Sequence, residues 1–197
     1  MAVTLKQLSA LLDKLELKHT VNEERSSIEL VFDTSKFVNA EGEKTVFVVI
    51  LPTQKGVVVF APSLYKCPDG ANGLPTLRAT FHASARTEFG GYNCDLEDGA
   101  IHAAVAMPLG RADLSAEQLR MLVADVLETV DKNHSMIQGA IDTGEIVEPN
   151  PEDDVVADTL EELKSLSPEA LARLKELVSD AVAAQAEAAA EEEPERL

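Results

Sequence analysis

Basic residues are scarce in this chain of 197: 17 Lys and Arg stand against 35 Asp and Glu, a formal net charge of −18. That balance argues against nucleic acid and anionic membrane surfaces as direct partners, because holding phosphates needs clustered cations. Cysteine is nearly absent. Cys67 and Cys94 are too few for a disulfide framework and fit a reducing compartment. No apolar run has the length of a signal peptide or a membrane span, so a cytoplasmic location is expected. Catalytic signatures are missing as well. Gly90-Gly91 and Gly70-Ala71-Asn72-Gly73 match neither a phosphate loop nor a dinucleotide fingerprint. Cys67, His82, Cys94 and His102 lack the spacing of a zinc site. Cys94 and Asp95, adjacent on a strand, point to opposite faces, which breaks up a Cys94-His102-Asp95 nucleophilic set. Glu152-Asp153-Asp154 lacks the spaced oxygens and turn glycine of a calcium loop. No catalytic residue, metal or cofactor is expected, and the chain reads as a non-enzyme.

What is present in abundance is apolar β-former. Thr45 to Ala61, TVFVVILPTQKGVVVFA, reads as two strands joined at Pro-Thr-Gln-Lys-Gly. A half-exposed strand alternates apolar with polar, so a run this uniform implies a sheet centre covered on both faces. Before it, Thr4 and Gln7 form a capping box, Val3 and Leu8 a hydrophobic staple, and Leu5, Leu8, Leu11, Leu12 and Leu15 an apolar stripe. Ser27 to Asp33 alternates strictly, Ile28, Leu30 and Phe32 against Ser27, Glu29, Val31 and Asp33, which predicts a more exposed strand. Pro62 to Gly73 is rich in turn formers and is expected as a surface loop.

A second helix is predicted from Pro75 through Arg86, with Leu74, Leu77, Phe81 and Ala85 on one face. Alternating segments around Tyr92–Leu96 and Ile101–Met107, separated by Glu97-Asp98-Gly99, predict a hairpin. Ser115 and Gln118 then cap a long helix, with Leu114 and Leu119 as its staple and a stripe running from Leu119 to Ile141. The order is α-β-β-β-α-β-β-α: an α+β domain with an antiparallel sheet of about five strands and helices on one face.

Charge and proline mark the domain limits. Residues 142–197 hold 17 acids against 4 bases, which leaves residues 1–141 at a net of only −5. The division expected is residues 1–143 as the α+β domain and residues 144–197 as an acidic linker and helical tail. In that tail, Val156, Leu160, Leu163 and Leu166, and then Leu171, Leu174, Leu177 and Val178, repeat at helical spacing.

An LxxLL-type helix (Leu8, Leu11, Leu12), three strands, a helix after a loop, a strand pair turning at Glu97-Asp98-Gly99, the strand end Met107-Pro108-Leu109 and the helix start Leu114 to Leu119 together resemble the YbjN-like proteins. The fold of that family resembles the type III secretion chaperones. The resemblance spans residues 4 to 141 and implies an acidic cytoplasmic protein, usually dimeric, that binds another polypeptide rather than transforming a substrate.

The strand faces lead the same way. If Val46, Val48 and Ile50 face the helices, then Phe47, Val49 and Leu51 face away, and the opposite register would still leave an apolar set outward. These three residues are the candidate dimer or partner interface, with the chain's own tail as the alternative cover. The function expected is a chaperone- or adaptor-like homodimer that binds a protein partner. The alternative is a small-molecule-sensing or signalling regulatory domain, its pocket lying between the second helix, the Pro62 to Gly73 loop and His102.

Overall fold

The computed structural model describes residues 3–110 and 112–148. The chain divides into two units, Met1–Pro149 and Asn150–Leu197. The second unit, with the helices expected in the tail, lies outside the described residues. The first unit is α+β, with the order α1 (Leu5–Lys14), β1 (Thr20–Asn22), β2 (Ser27–Asp33), β3 (Thr45–Pro52), β4 (Gly56–Lys66), α2 (Gly73–Ser84), β5 (Gly91–Cys94), β6 (Ala100–Pro108) and α3 (Ala116–Thr143). Its sheet has six strands in the spatial order β1-β2-β3-β4-β6-β5, and every pairing is antiparallel.

The sheet therefore holds one strand more than the sequence predicts. β1 spans only three residues, too short to display an alternation, and its turn into β2 contains no glycine; Ser26 supplies the positive φ of 51° instead. A second correction concerns Pro62 to Gly73. Pro62 to Lys66 continues β4 rather than starting a loop, and the pairing with β6 shifts register between Ala61 and Tyr65. An irregularity of this kind tolerates a proline and a residue in left-handed conformation. Ser63, with φ 49°, is that residue. Beyond it, Leu64 and Tyr65 return to the buried side.

The two best-capped helices form as their sequences dictate. Thr4 and Ser115 each accept from the amide three residues on, and Gln7 and Gln118 each reach back to the cap amide, so orphan donors are satisfied at both helix starts. Gly144, with φ 78°, ends α3 in the left-handed conformation. The core lies between helices and sheet: Leu8 and Leu12 of α1 and Leu119, Val126, Val130 and Ile137 of α3 cluster with Ile28, Leu30, Val46, Val48, Ile50, Val57, Val59, Ile101 and Ala103. At the β3–β4 turn, a Cβ on Gly56 would lie 1.9 Å from the Met107 carbonyl oxygen. Only glycine permits that approach of β4 to β6.

α2 departs from its expected orientation. The buried residues are Thr76, Ala79, Thr80 and Ala83, while the larger apolar residues of the predicted stripe face outward, with Leu74 59% and Phe81 81% exposed. The small face serves close packing. Ser84 Oγ accepts from the Tyr92 amide at 2.8 Å, and a Cβ on Gly91 would meet Ser84 at 3.1 Å. Asn72 Nδ2 donates to the Ile141 carbonyl at 3.0 Å, which fastens the start of α2 to the end of α3.

Candidate functional site

The alternation along β3 places Val46, Val48 and Ile50 in the core, and Phe47, Val49 and Leu51 on the opposite face of the sheet. Phe47 is 41% exposed, Val49 only 8%, and Leu51 is half-buried. Val49 is buried yet does not belong to the cluster that packs beneath the helices. What surrounds it follows from register. Val49 stands opposite Glu29 on β2 and Phe60 on β4, and Phe60 stands opposite Ala104 on β6. The next row joins Leu51 to Val58 and Val58 to Ala106. Toward the β2 edge, Phe47 stands opposite Val31, which is 65% exposed.

The outer face is thus paved by cross-strand apolar pairs around a sheltered Val49. Direct neighbours of this kind lie close enough to pack on one another. Val31, Val58 and Phe60 complete the surface but are absent from the three-residue assignment. A signal for them was available: the outward residues of β4 alternate with its buried ones, and Val31 is the one large apolar side chain on the polar side of β2.

The same edge offers backbone. β1 pairs only with Ser27, Ile28 and Glu29 of β2. Among the described residues, no strand runs beside Leu30–Asp33 on that side. A strand edge left unpaired there, next to exposed Val31 and Phe47, is a template for an added strand.

Titratable groups gather elsewhere, beneath α3. Asp131 accepts from three successive loop amides: Ser35 N–H at 3.2 Å, Lys36 N–H at 2.7 Å and Phe37 N–H at 2.8 Å. Beside it, the Tyr65 hydroxyl and His134 Nδ1 are 3.1 Å apart, Phe37 packs edge-on against both rings, and the Tyr92 hydroxyl donates to the Thr129 carbonyl at 2.9 Å. Burial, and then the charge of Asp131, push the Tyr65 phenol well above its ordinary range. Burial likewise raises Tyr92 and lowers His134, against the opposing pull of Asp131 and Asp142. Both phenols therefore stay protonated near neutrality, and the cluster holds no poised tyrosine base.

Cys67 and Cys94 are neighbours. Burial, and then neighbouring Cys67, raise the Cys94 thiol, the reverse of nucleophile activation. Among the described residues, no group of three or more His, Cys, Asp or Glu has metal-binding geometry. Nor, among them, is any helix long and apolar enough to cross a membrane. A depression of about 430 Å³ does lie by α2, lined by Cys67, Asp69, Leu77, Cys94, Leu96 and Asp98 among others. His102 does not line it: on β6 it alternates with fully buried Ile101 and Ala103 and so lies on the opposite face. The depression by α2 and the Pro62 to Gly73 segment therefore lacks the His102 that the predicted sensor pocket included.

No known family model matches the sequence, and no curated protein matches it. Among solved structures, YbjN from E. coli, a candidate transcription regulator, superposes with a TM-score of 0.51 at 12% identity, over 75% of this chain and 97% of that one. The fold is YbjN-like. Two complexes are also similar. The HopA1–SchA chaperone–effector complex gives a TM-score of 0.45 at 14% identity, over 66% of this chain and 90% of the matched one. The heterodimeric ExoU–SpcU complex from the type III secretion system of Pseudomonas aeruginosa gives 0.42 at 12% identity, over 68% and 96%. The YbjN-like element order expected from the sequence is therefore the order found, with one added strand.

Proposed function

We propose that this chain is a non-enzymatic protein-binding module, chaperone- or adaptor-like, that works as a homodimer and holds a partner polypeptide on the outer face of its sheet. The observation that carries this reading is the apolar pavement centred on Val49, separate from the core under the helices. Contiguous apolar surface on a sheet costs solubility and is kept where another chain covers it. The central rows around Val49 and Leu51 suit a two-fold contact with a second copy. The Leu30–Asp33 edge suits an extended segment, whose main chain would add a strand while its side chains pack on Val31 and Phe47.

The test separates the two roles. Light scattering across a concentration series measures self-association, and a pull-down from cell extract followed by crosslinking maps the captured segment. Leu51→Asp is expected to shift the chain toward monomer, and Val31→Asp to spare the dimer while weakening capture. Both positions are at least partly exposed, so the variants should keep the wild-type circular dichroism. Dimers and captured partners unchanged in both folded variants would refute the assignment.

A further inference from the structure

The exposed side of α2 is a second apolar surface, independent of the sheet. Leu74, Leu77, Phe81 and Ala85 fall at helical spacing on one side, and Phe81 is 81% exposed. A shallow groove of about 480 Å³ runs along it, lined by Leu77, Arg78, Phe81, His82 and Ala85. Leu77 also borders the depression that contains exposed Leu96 among Asp69, Asp95, Glu97 and Asp98, so the apolar strip gives way to acids there.

Charge beside this strip is opposite in sign to the net charge of the chain. Arg78 and His82 stand four positions apart on the helix, and Arg86 follows four further on, just past the C-cap Ala85. From Gly70 to Thr87 there is no Asp or Glu, in a chain of net charge −18. The row also accepts a carboxylate: Glu148 pairs with Arg86 and lies 3.3 Å from His82 Nε2. Arg78, one turn away, is exposed and has no carboxylate partner among the described residues.

We infer that α2 is a docking surface for an acidic amphipathic helix of a partner protein, its apolar stripe on Leu77 and Phe81 and its carboxylates along Arg78, His82 and Arg86. A helix is the fitting occupant because the backbone of α2 is satisfied internally and offers only side-chain ridges to an incoming element. Nucleic acid fits poorly, since the groove centres on Leu77 and Phe81 and only two arginines flank it. Two-fold packing of α2 on a second copy fits poorly too. In an antiparallel pair, Arg78 would oppose Arg86, setting like charges together.

The experiment uses the full chain and two synthetic helices, both with Leu at heptad a and d positions, one with Glu and the other with Lys at all outward positions. Fluorescence anisotropy is expected to show saturable binding of the Glu helix, with the Lys helix at least about tenfold weaker. Phe81→Ser and Arg78→Glu should each weaken the Glu helix by about tenfold or more, while Val31→Asp on the sheet face leaves it unchanged. Thermal melts of these surface variants serve as the folding control. Three results would overturn the inference: no saturable binding of the Glu helix, equal binding of both helices, or a Phe81→Ser variant that loses self-association but keeps the Glu helix. The last would assign α2 to a second copy. Loss of the dimer in Leu51→Asp with intact helix binding would support it separately from the sheet-face reading.

Discussion

α2 and α3 are both amphipathic, yet they bury opposite kinds of side chain. α3 turns its large residues inward, Leu119, Leu122, Val126, Val130 and Ile137, and shows polar ones to solvent. α2 buries Thr76, Ala79, Thr80 and Ala83 and leaves Leu74 and Phe81 outside. The reason is distance. α3 lies across a sheet and must fill the space between with volume, whereas α2 is drawn close to α3 and β5 through Asn72, Ser84 and Gly91 and has room only for small groups. Periodicity identifies the faces of a helix; separation from its neighbours decides which face is buried.

The largest effect should come from truncating one residue in each helix. Ile137→Ala removes a fully buried side chain and is expected to cost about 2–5 kcal/mol. Phe81→Ala should stay within about 0.5 kcal/mol of wild type. Urea unfolding of both variants measures the contrast, and equal losses would mean that α2 packs through Phe81 after all. Next, Ala79→Leu on the small face should cost about 1–3 kcal/mol by overpacking, read as a lowered melting temperature; a neutral result would deny the close approach of α2.

Asp131 tests the contact between α3 and the loop after β2. Asp131→Asn keeps the shape but removes the charge and one acceptor from the amides of Ser35, Lys36 and Phe37, for an expected loss of about 1–2 kcal/mol. The smallest effect is pH-dependent. The folded state lowers the His134 pKa below its ordinary 6.5, so the unfolded chain takes up the proton first as pH falls. Stability attached to this residue is complete above about pH 6.5 and declines as pH drops toward the lower folded value. Melting curves between pH 7.5 and 5.5 should therefore slope less in His134→Gln than in wild type. No comparable change is expected in the Phe81 variant, whose ring lies in solvent.

Much of the frame was legible because it is local. Both capping boxes, the Asp98-Gly99 turn and the β3–β4 hairpin are written in residues within a few positions of one another, and they form where expected. Features that depend on distant neighbours were not. β1 exists because Ser27–Glu29 provides a partner, and Pro62 and Ser63 sit within a strand because β6 tolerates an irregularity there. At the candidate site, the outward direction of Phe47, Val49 and Leu51 follows from alternation once the helices take the other side. The contributions of Val31 and Phe60 required the register. On α2 the sequence signal was present but pointed the wrong way, since Thr76, Ala79, Thr80 and Ala83 also recur at helical spacing and form the contact.

Asp131 has a kinetic consequence. Its carboxylate is the shared acceptor for three amides that lie 94 to 96 positions earlier in the chain. These bonds cannot form until the long helix has docked, and contacts so distant in sequence slow folding through the entropy of closing the chain between them. Hydrogen exchange at Ser35, Lys36 and Phe37 should then report the opening of α3 rather than local fraying of their own loop. Their protection should rise and fall with that of the helix.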